Sequence, residues 1–343
     1  MEMSTPRITA LINTHNYGRF VGEAIESVLA QDVAPGEMEV LVVDDGSTDD
    51  TATVVAKFGE RVRYIRKENG GQASALNVGF AEARGEIIAT LDGDDLWLPG
   101  KVRRVQEEFE KLPEAGMVYH PFEHWDVQRN VMEKDMNFPA VSGHVLDLPD
   151  GLLRYGDFST SGLAFRKAAV AKLLPIPERL KILADSYLGC LIIFVAPVAA
   201  VNEHLTRYRI HGANLFSHGG GDEARLRRRL ECWSAAVEEI KNWLARRGWD
   251  LRRPEIAAYV RRYELVAWRF RFDLEPPGRK EFYDYLRAHD ALYRPLQRPG
   301  YRAFRWAMAG AAFVLGFGPF EGLRHVYSGT GGARLREAVV PAR

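Results

Sequence analysis

The chain has 343 residues, room for about two domains, and its 46 basic and 46 acidic side chains cancel. Apolar residues make up 46% and charged residues 27%, which excludes wholesale disorder and collagen-like repeats. Two cysteines, Cys190 and Cys232, exclude a disulfide framework and a Cys-based zinc site; with no apolar signal segment in Met1–Arg7, they fit a reducing, cytoplasmic setting.

The first 120 residues alternate short apolar runs with helical patterns. Ile8–Ile12 reads as a strand, and Tyr17–Gln31 as a helix with Phe20, Ala24, Ile25, Val28 and Leu29 on one face. Glu39–Val43 is a continuous apolar run, the signature of a strand buried on both faces. A short helix over Asp49–Phe58, a strand over Val62–Ile65 and a helix over Ala73–Ala83 follow. Ile87–Leu91 is a fourth strand, Lys101–Lys111 a helix and Met117–Tyr119 another strand. This alternation predicts an α/β fold with a mostly parallel central sheet flanked by helices. Ligands of such sheets bind at the carboxyl ends of the strands.

From 121 to 221 the pattern is irregular: loop over 135–160, strand into helix over Ser161–Leu174, and a helix over Ala184–Phe194. Gly219–Gly221 reads as a linker, which places one domain at 1–218 and a helical region at 219–343. Glu223–Arg247, Pro254–Arg271 and Arg279–Leu292 show helical periodicity. The charge is unevenly split, 22 Lys/Arg against 31 Asp/Glu in residues 1–221 and 24 against 15 in residues 222–343. Trp306–Phe320 is uncharged, flanked by arginines, and too short for the roughly 20 residues that span a bilayer. It reads either as a buried helix or as an anchor lying in a membrane surface, and the basic balance of the region favours the surface. The tryptophans and tyrosines of the C-terminal helices, at helical spacing, read as core rather than as stacking platforms, so nucleic acid is not an expected partner.

Polar residues follow four strands directly. The fourth ends in Asp92-Gly93-Asp94-Asp95, where carboxylates at i and i+2 point the same way and repel unless a cation sits between them. Hard oxygen ligands select Mg²⁺ or Mn²⁺. The second ends in Asp44-Asp45-Gly46-Ser47-Thr48-Asp49, with Asp44 or Asp45 able to accept from a base or ribose and Ser47 or Thr48 placed to cap the next helix. Asn13-Thr14-His15-Asn16 follows the first strand. Asn69–Gly79 follows the third, with glycines that admit close backbone approach and a helix N-terminus that suits an anion.

Together these four strand ends resemble glycosyltransferase family 2, inverting enzymes of GT-A fold, over about residues 7–215. The departure is His15, where an aromatic side chain commonly stacks on the nucleotide base. The resemblance implies a nucleotide-diphospho-sugar donor and a sugar or lipid-linked acceptor. Asn13, His15 and Asp45 would surround base and ribose, with Thr14 and Asn16 alongside and Asp44 in support; Asn77 would lie near the same pocket, and Arg66 or Lys67 would reach the diphosphate. Asp92 would face ribose or metal, Asp94 would bind Mn²⁺ or Mg²⁺ directly, and Asp95 would support the motif or cap a turn.

An inverting transfer needs a base for the acceptor hydroxyl. The family places an aspartate at the start of a helix after the acceptor loop, and Ala184-Asp185-Ser186-Tyr187 matches, with a helix cap as the competing reading of Asp185 and Asp157 as the alternative base. Arg207–Asn214 resembles the segment that closes this domain, with Arg209 set to pair with phosphate and His211 to ligate the metal or touch the diphosphate. Phe158–Gly162 corresponds to the acceptor-side loop. A metal-dependent nucleotidyltransferase and a non-catalytic sugar-nucleotide-binding protein are the alternatives; the absence of a Gly-x-x-x-x-Gly-Lys-Ser/Thr stretch counts against a P-loop version of the former.

Overall fold

The computed structural model describes residues 5–134, 138, 140–156, 158–212, 214 and 223–297, and positions 299, 300, 302, 303, 306, 307, 309 and 310. The chain divides into two compact units, Met1–Gly219 with Glu238–Asn242, and Gly220–Val237 with Trp243–Arg343.

The first unit runs β1 (Ile8–Thr14), α1 (Gly18–Leu29), β2 (Met38–Asp44), α2 (Thr51–Ala56), β3 (Arg63–Arg66), α3 (Gln72–Glu82), β4 (Ile87–Asp92), β5 (Leu96–Trp97) and α4 (Lys101–Lys111). It continues through β6 (Met117–Tyr119), β7 (Phe122–Asp126), β8 (Val131–Lys134), α5 (Gly151–Arg154), β9 (Leu163–Arg166), α6 (Lys167–Val170), α7 (Ala184–Ile192), β10 (Val198–Ala200) and β11 (Thr206–Ile210). The main sheet has the order β10-β6-β9-β4-β1-β2-β3, parallel except for β9, which runs against β4 and β6.

The cause is visible in the residues. Val40–Val43 is apolar throughout and buried on both faces, the state a parallel central strand imposes. α1 turns Phe20, Val21, Ala24, Ile25 and Val28 onto the sheet. Each full burial of such a side chain is worth about 1.5–3 kcal/mol. Gly79 lets α3 lie against β1, since a Cβ there would stand 2.4 Å from a Leu11 methyl carbon.

Two features depart from the sequence reading. α2 begins at Thr51 with Asp50, not Ser47 or Thr48, at the cap position, and the Asp49 carboxylate before it accepts from the Thr51 N–H at 3.0 Å and from the Gly18 N–H at 2.9 Å. The second departure is a second sheet, β5-β11-β7-β8, in the region read as irregular. Its short, aromatic and charged strands carry little periodicity, and the parallel pairing of β11 with β7 joins residues about 80 apart.

The second unit is helical, with α8 (Glu223–Arg246) apart from Glu238–Asn242, α9 (Pro254–Leu274, Pro254 opening its first turn) and α10 (Arg279–Tyr293). Phe272, Phe282, Leu286 and Ala309 form its apolar cluster. Tyr259 and Tyr263 are buried with ring centroids 5.1 Å apart, and Trp233 donates to the Tyr263 carbonyl at 2.8 Å, so these aromatics serve as core. No described helix is long and apolar enough to cross a membrane. Gly219–Gly221 and most of Trp306–Phe320 lie outside the described residues.

Candidate active site

The parallel register sets the site. Asn13 stands opposite Asp92, Thr14 opposite Asp44, and Asp44 opposite Arg66, so all four strand ends open on one sheet edge. Asn13 Nδ2 donates to Asp92 Oδ1 at 2.8 Å, and its Oδ1 is buried without a partner among the described residues. The turn after β4 is drawn tight against β1, with the Gly93 N–H donating to the Asn13 carbonyl at 2.9 Å. A Cβ on Gly93 would stand 2.6 Å from Thr14 Oγ1, so glycine is required there, and Thr14 is a buried wall of the turn.

Asp44 is fully buried, accepting the Ser47 N–H at 2.7 Å and the Tyr64 hydroxyl at 2.5 Å. Asp45 accepts Lys67 Nζ at 2.8 Å and the N–H groups of Gly70 and Gly71 at 2.9 and 2.6 Å. The next two N–H groups, of Gln72 and Ala73, go to the carbonyls of Lys181 and Leu180. This corrects the reading of the α3 N-terminus as an anion site: its donors are spent on a carboxylate and on the loop before α7. Lys67 likewise pairs with Asp45 instead of presenting its ammonium to a diphosphate, and Arg66 donates to the Ser47 carbonyl at 2.8 Å. Beside them Gly46, Arg66, Lys67, Glu68 and Asn69 line a cavity of about 420 Å³. His15 is exposed at the mouth of this edge, with the amide nitrogens of Asn16 and Asn69 each 3.2 Å from its ring. Asn16 adopts a left-handed conformation (φ 56°), and its Oδ1 accepts the Thr48 N–H at 2.8 Å.

In the Asp92–Asp95 turn, Asp94 Oδ2 lies 3.0 Å from His211 Nε2, and the Tyr17 ring meets the His211 ring edge-on with centroids 5.8 Å apart. Burial, then the charges of Asp94 and Asp92, push the Tyr17 hydroxyl pKa up. Asp95 is wholly buried, accepting the Ser161 hydroxyl at 2.6 Å and the Arg209 N–H at 2.9 Å, and so ties the turn to β11 as a support. Arg209 is a correction. Its guanidinium is buried between Phe20 and Trp125 (4.6 and 5.1 Å to the ring centroids) and bonded to Glu23 at 2.7 Å, so it braces α1 against the second sheet and is not aimed at phosphate.

Asp185 lies in the first turn of α7, whose preceding residue is Leu183; the helix cap is therefore not its role. Its Oδ2 accepts the Thr160 N–H at 3.0 Å and hydroxyl at 3.2 Å, and its Oδ1 accepts the Ser186 N–H at 2.7 Å. Burial pushes the Asp185 carboxyl above its ordinary value, with these hydrogen bonds opposing. Asp92 is pushed up to about 8 by burial and then by the charges of Asp94 and Asp185. The Asn77 amide is spent on Ile176, donating to the carbonyl and accepting the N–H, both at 2.8 Å, so it staples α3 to the loop before α7. Asp157 lies outside the described residues.

Sequence reasoning missed Tyr17, Tyr64, Gln72 and Lys101. Lys101 is completely buried below the turn, donating to the Ser161 carbonyl at 2.5 Å, and burial pulls its pKa well below the ordinary value. At the start of an amphipathic helix it carried no signal that separates it from a solvated lysine. Tyr17 directly follows the Asn13–Asn16 segment, and that adjacency was a usable clue.

Among the described residues no group of three or more His, Cys, Asp or Glu converges as a metal cage. What is present is one carboxylate oxygen and one imidazole nitrogen side by side, both nearly shielded from solvent. That pair fits Mg²⁺ or Mn²⁺ sites that take their remaining ligands from substrate phosphates and water.

A mostly parallel central sheet flanked by helices, with carboxylates gathered at its strand ends, is the architecture of the GT-A class. Residues 9–174 match the model of glycosyl transferase family 2. The chain is 36% identical over 220 residues to an uncharacterised glycosyltransferase of Nostoc sp., covering 61% of this chain and 66% of that protein, just under two thirds of the relative's length. In three dimensions it is similar to residues 1–349 of TarS from S. aureus in complex with UDP-GlcNAc (TM-score 0.63, 16% identity, 82% and 81% of the two chains). It is also similar to the mannosyltransferase PcManGT from Pyrobaculum calidifontis in complex with GDP-Man and Mn²⁺ (TM-score 0.57, 18% identity, 97% and 87%).

Proposed function

We propose that the protein is an inverting, metal-dependent glycosyltransferase that moves a sugar from a nucleotide-diphospho-sugar to an acceptor hydroxyl in polysaccharide or glycolipid assembly. The observation that supports this reading is the tie between Asp185 and the Asp92–Asp95 turn through two adjacent residues: Thr160 donates to Asp185, and Ser161 accepts the Asp92 N–H at 3.0 Å and donates to Asp95 at 2.6 Å. Asn13, Thr14, His15, Asn16, Asp44, Asp45 and Lys67 shape the base and ribose side, directly or by holding the loop over it.

The Asp185 carboxylate takes the acceptor proton as the acceptor oxygen bonds to the anomeric carbon. The bond from that carbon to the diphosphate oxygen breaks, and its electron pair leaves with the nucleoside diphosphate. Asp94 and His211 are the residues that would hold Mn²⁺ or Mg²⁺ beside Asp92, and such an ion would supply positive charge for the departing diphosphate.

UDP-GlcNAc and GDP-mannose, the ligands in TarS and PcManGT, are the first probes. A thermal-shift screen of both with Mn²⁺ and with chelator tests binding, and product analysis tests chemistry. A metal-dependent rise in Tm with nucleoside diphosphate release supports the reading; pyrophosphate release overturns it in favour of nucleotidyl transfer. The basic balance of residues 222–343 supports a peripheral seat on the cytoplasmic membrane face, near a lipid-linked acceptor. Flotation of the full chain with anionic but not neutral vesicles is the expected result, and no flotation with either removes that part.

A further inference from the structure

Gln72, the first residue of α3, is occupied at both ends of its side chain by the opposite half of the site. Its Oε1 accepts the Ala184 N–H at 3.0 Å, in the first turn of the helix that carries Asp185. A backbone N–H can only donate, so this contact fixes which end of the amide is oxygen. Nε2 therefore points at Thr160 Oγ1, 2.9 Å away, and donates to it. Thr160 Oγ1 accepts there, which leaves its own single proton to donate, and Asp185 Oδ2 lies 3.2 Å off. The Thr160 carbonyl is fixed in turn by the Thr90 hydroxyl at 2.6 Å. The backbone of Gln72 belongs to the donor side: it follows Gly70 and Gly71, whose N–H groups hold Asp45, and its own N–H donates to the Lys181 carbonyl at 2.9 Å.

We propose that Gln72 is a positioning residue for the transfer reaction. It sets the direction of the Thr160 hydroxyl, and through it the lone pair that Asp185 offers to the acceptor, and it links this setting to the loop that Asp45 holds on the donor side. The inference rests on the reading of Asp185 as base but adds residues that reading does not use. Without Gln72 the Thr160 hydroxyl is free to rotate away, and the base loses orientation while the donor pocket keeps its own contacts.

Gln72→Glu is the informative variant. It preserves shape and the acceptor for the Ala184 N–H, so the helix start stays capped, but it cannot donate to Thr160. Thr160→Val removes the hydroxyl at equal volume, and Thr160→Ser restores it. Each is assayed in the full chain for nucleoside diphosphate release from UDP-GlcNAc and GDP-mannose with Mn²⁺, with Asp185→Asn alongside. The expected result is a fall in kcat of about tenfold or more for Gln72→Glu and Thr160→Val, donor KM within threefold, and Thr160→Ser near wild type. The double variant Gln72→Glu/Thr160→Val should be no worse than the poorer single, because both act through one chain of contacts. Unchanged kcat in Gln72→Glu, fully multiplicative losses, or a loss confined to donor KM overturns the inference while an inactive Asp185→Asn leaves the base in place. A full-rate Asp185→Asn enzyme removes both.

Discussion

His211 Nε2 lies 3.0 Å from Asp94 Oδ2, although 117 residues separate the two in the chain. β11, which leads to His211, is pulled against the Asp92–Asp95 turn by the Asp95 carboxylate on the Arg209 N–H. Asp95 thus places the histidine that pairs with Asp94.

The pair leads to a prediction for metal use. Asp94→Asn keeps the shape and hydrogen bonding of the turn but loses the anionic ligand, and His211→Ala loses the nitrogen. Both are expected to lower Mn²⁺-dependent nucleoside diphosphate release by about 100-fold or more for Asp94→Asn and about tenfold for His211→Ala, within the range of losses at such ligands. Rates measured across a Mn²⁺ titration check this, and chelator should abolish wild-type activity.

As the base of the proposed transfer, Asp185 would have to be ionised to accept a proton, and burial holds its carboxyl above the ordinary 3.8. The rate therefore rises with pH, and its acidic limb should fall above pH 3.8, not at it. A kcat profile taken from pH 4 to 8 reads the limb directly. For folding, a raised carboxyl pKa means that the native state holds its proton longer than the unfolded chain, so this group's contribution to stability shrinks as pH climbs from the unfolded value through the folded one. Asp185→Asn, uncharged at every pH, should accordingly lose that dependence, which thermal unfolding at several pH values will show.

Gly93→Ala should damage the site without touching a carboxylate. The added Cβ meets Thr14 Oγ1 at 2.6 Å and Thr14 Cβ at 2.8 Å, so either the turn or the end of β1 must move. Overpacking of this kind costs about 1–3 kcal/mol. Chemical denaturation gives the stability, and calorimetry with UDP or GDP plus Mn²⁺ should show weakened binding in the protein that remains folded.

Asn77 and Asp45 separate stapling from donor binding. Asn77→Ala leaves the Ile176 N–H and carbonyl unpaired and should cost about 1–3 kcal/mol of stability while leaving nucleotide affinity within threefold. Asp45→Ala frees Lys67, Gly70 and Gly71 together, and should both destabilise the fold and weaken nucleotide binding at least tenfold. Equal nucleotide affinity in the two variants would contradict this division.

Much of this was decided locally and is readable in the chain. Ile8–Ile12, Val40–Val43 and Ile87–Leu91 are apolar runs that have to be buried on both faces, and the helices between them leave only parallel crossovers. Strand ends then share one edge, and the polar residues after each strand are brought together by that alone. What the chain order does not contain is which hydrogen-bonding groups are left to a ligand. Asp45, Asn77 and Arg209 sit near the site, but a neighbouring backbone, a loop or Glu23 claims each of them, and those partners come from segments up to 186 residues away. The second sheet is similar, since its strands are recognisable only once β7 and β11 meet. Periodicity records which face of a segment is buried; the pairing of polar groups across the site depends on distances that only the packed fold fixes.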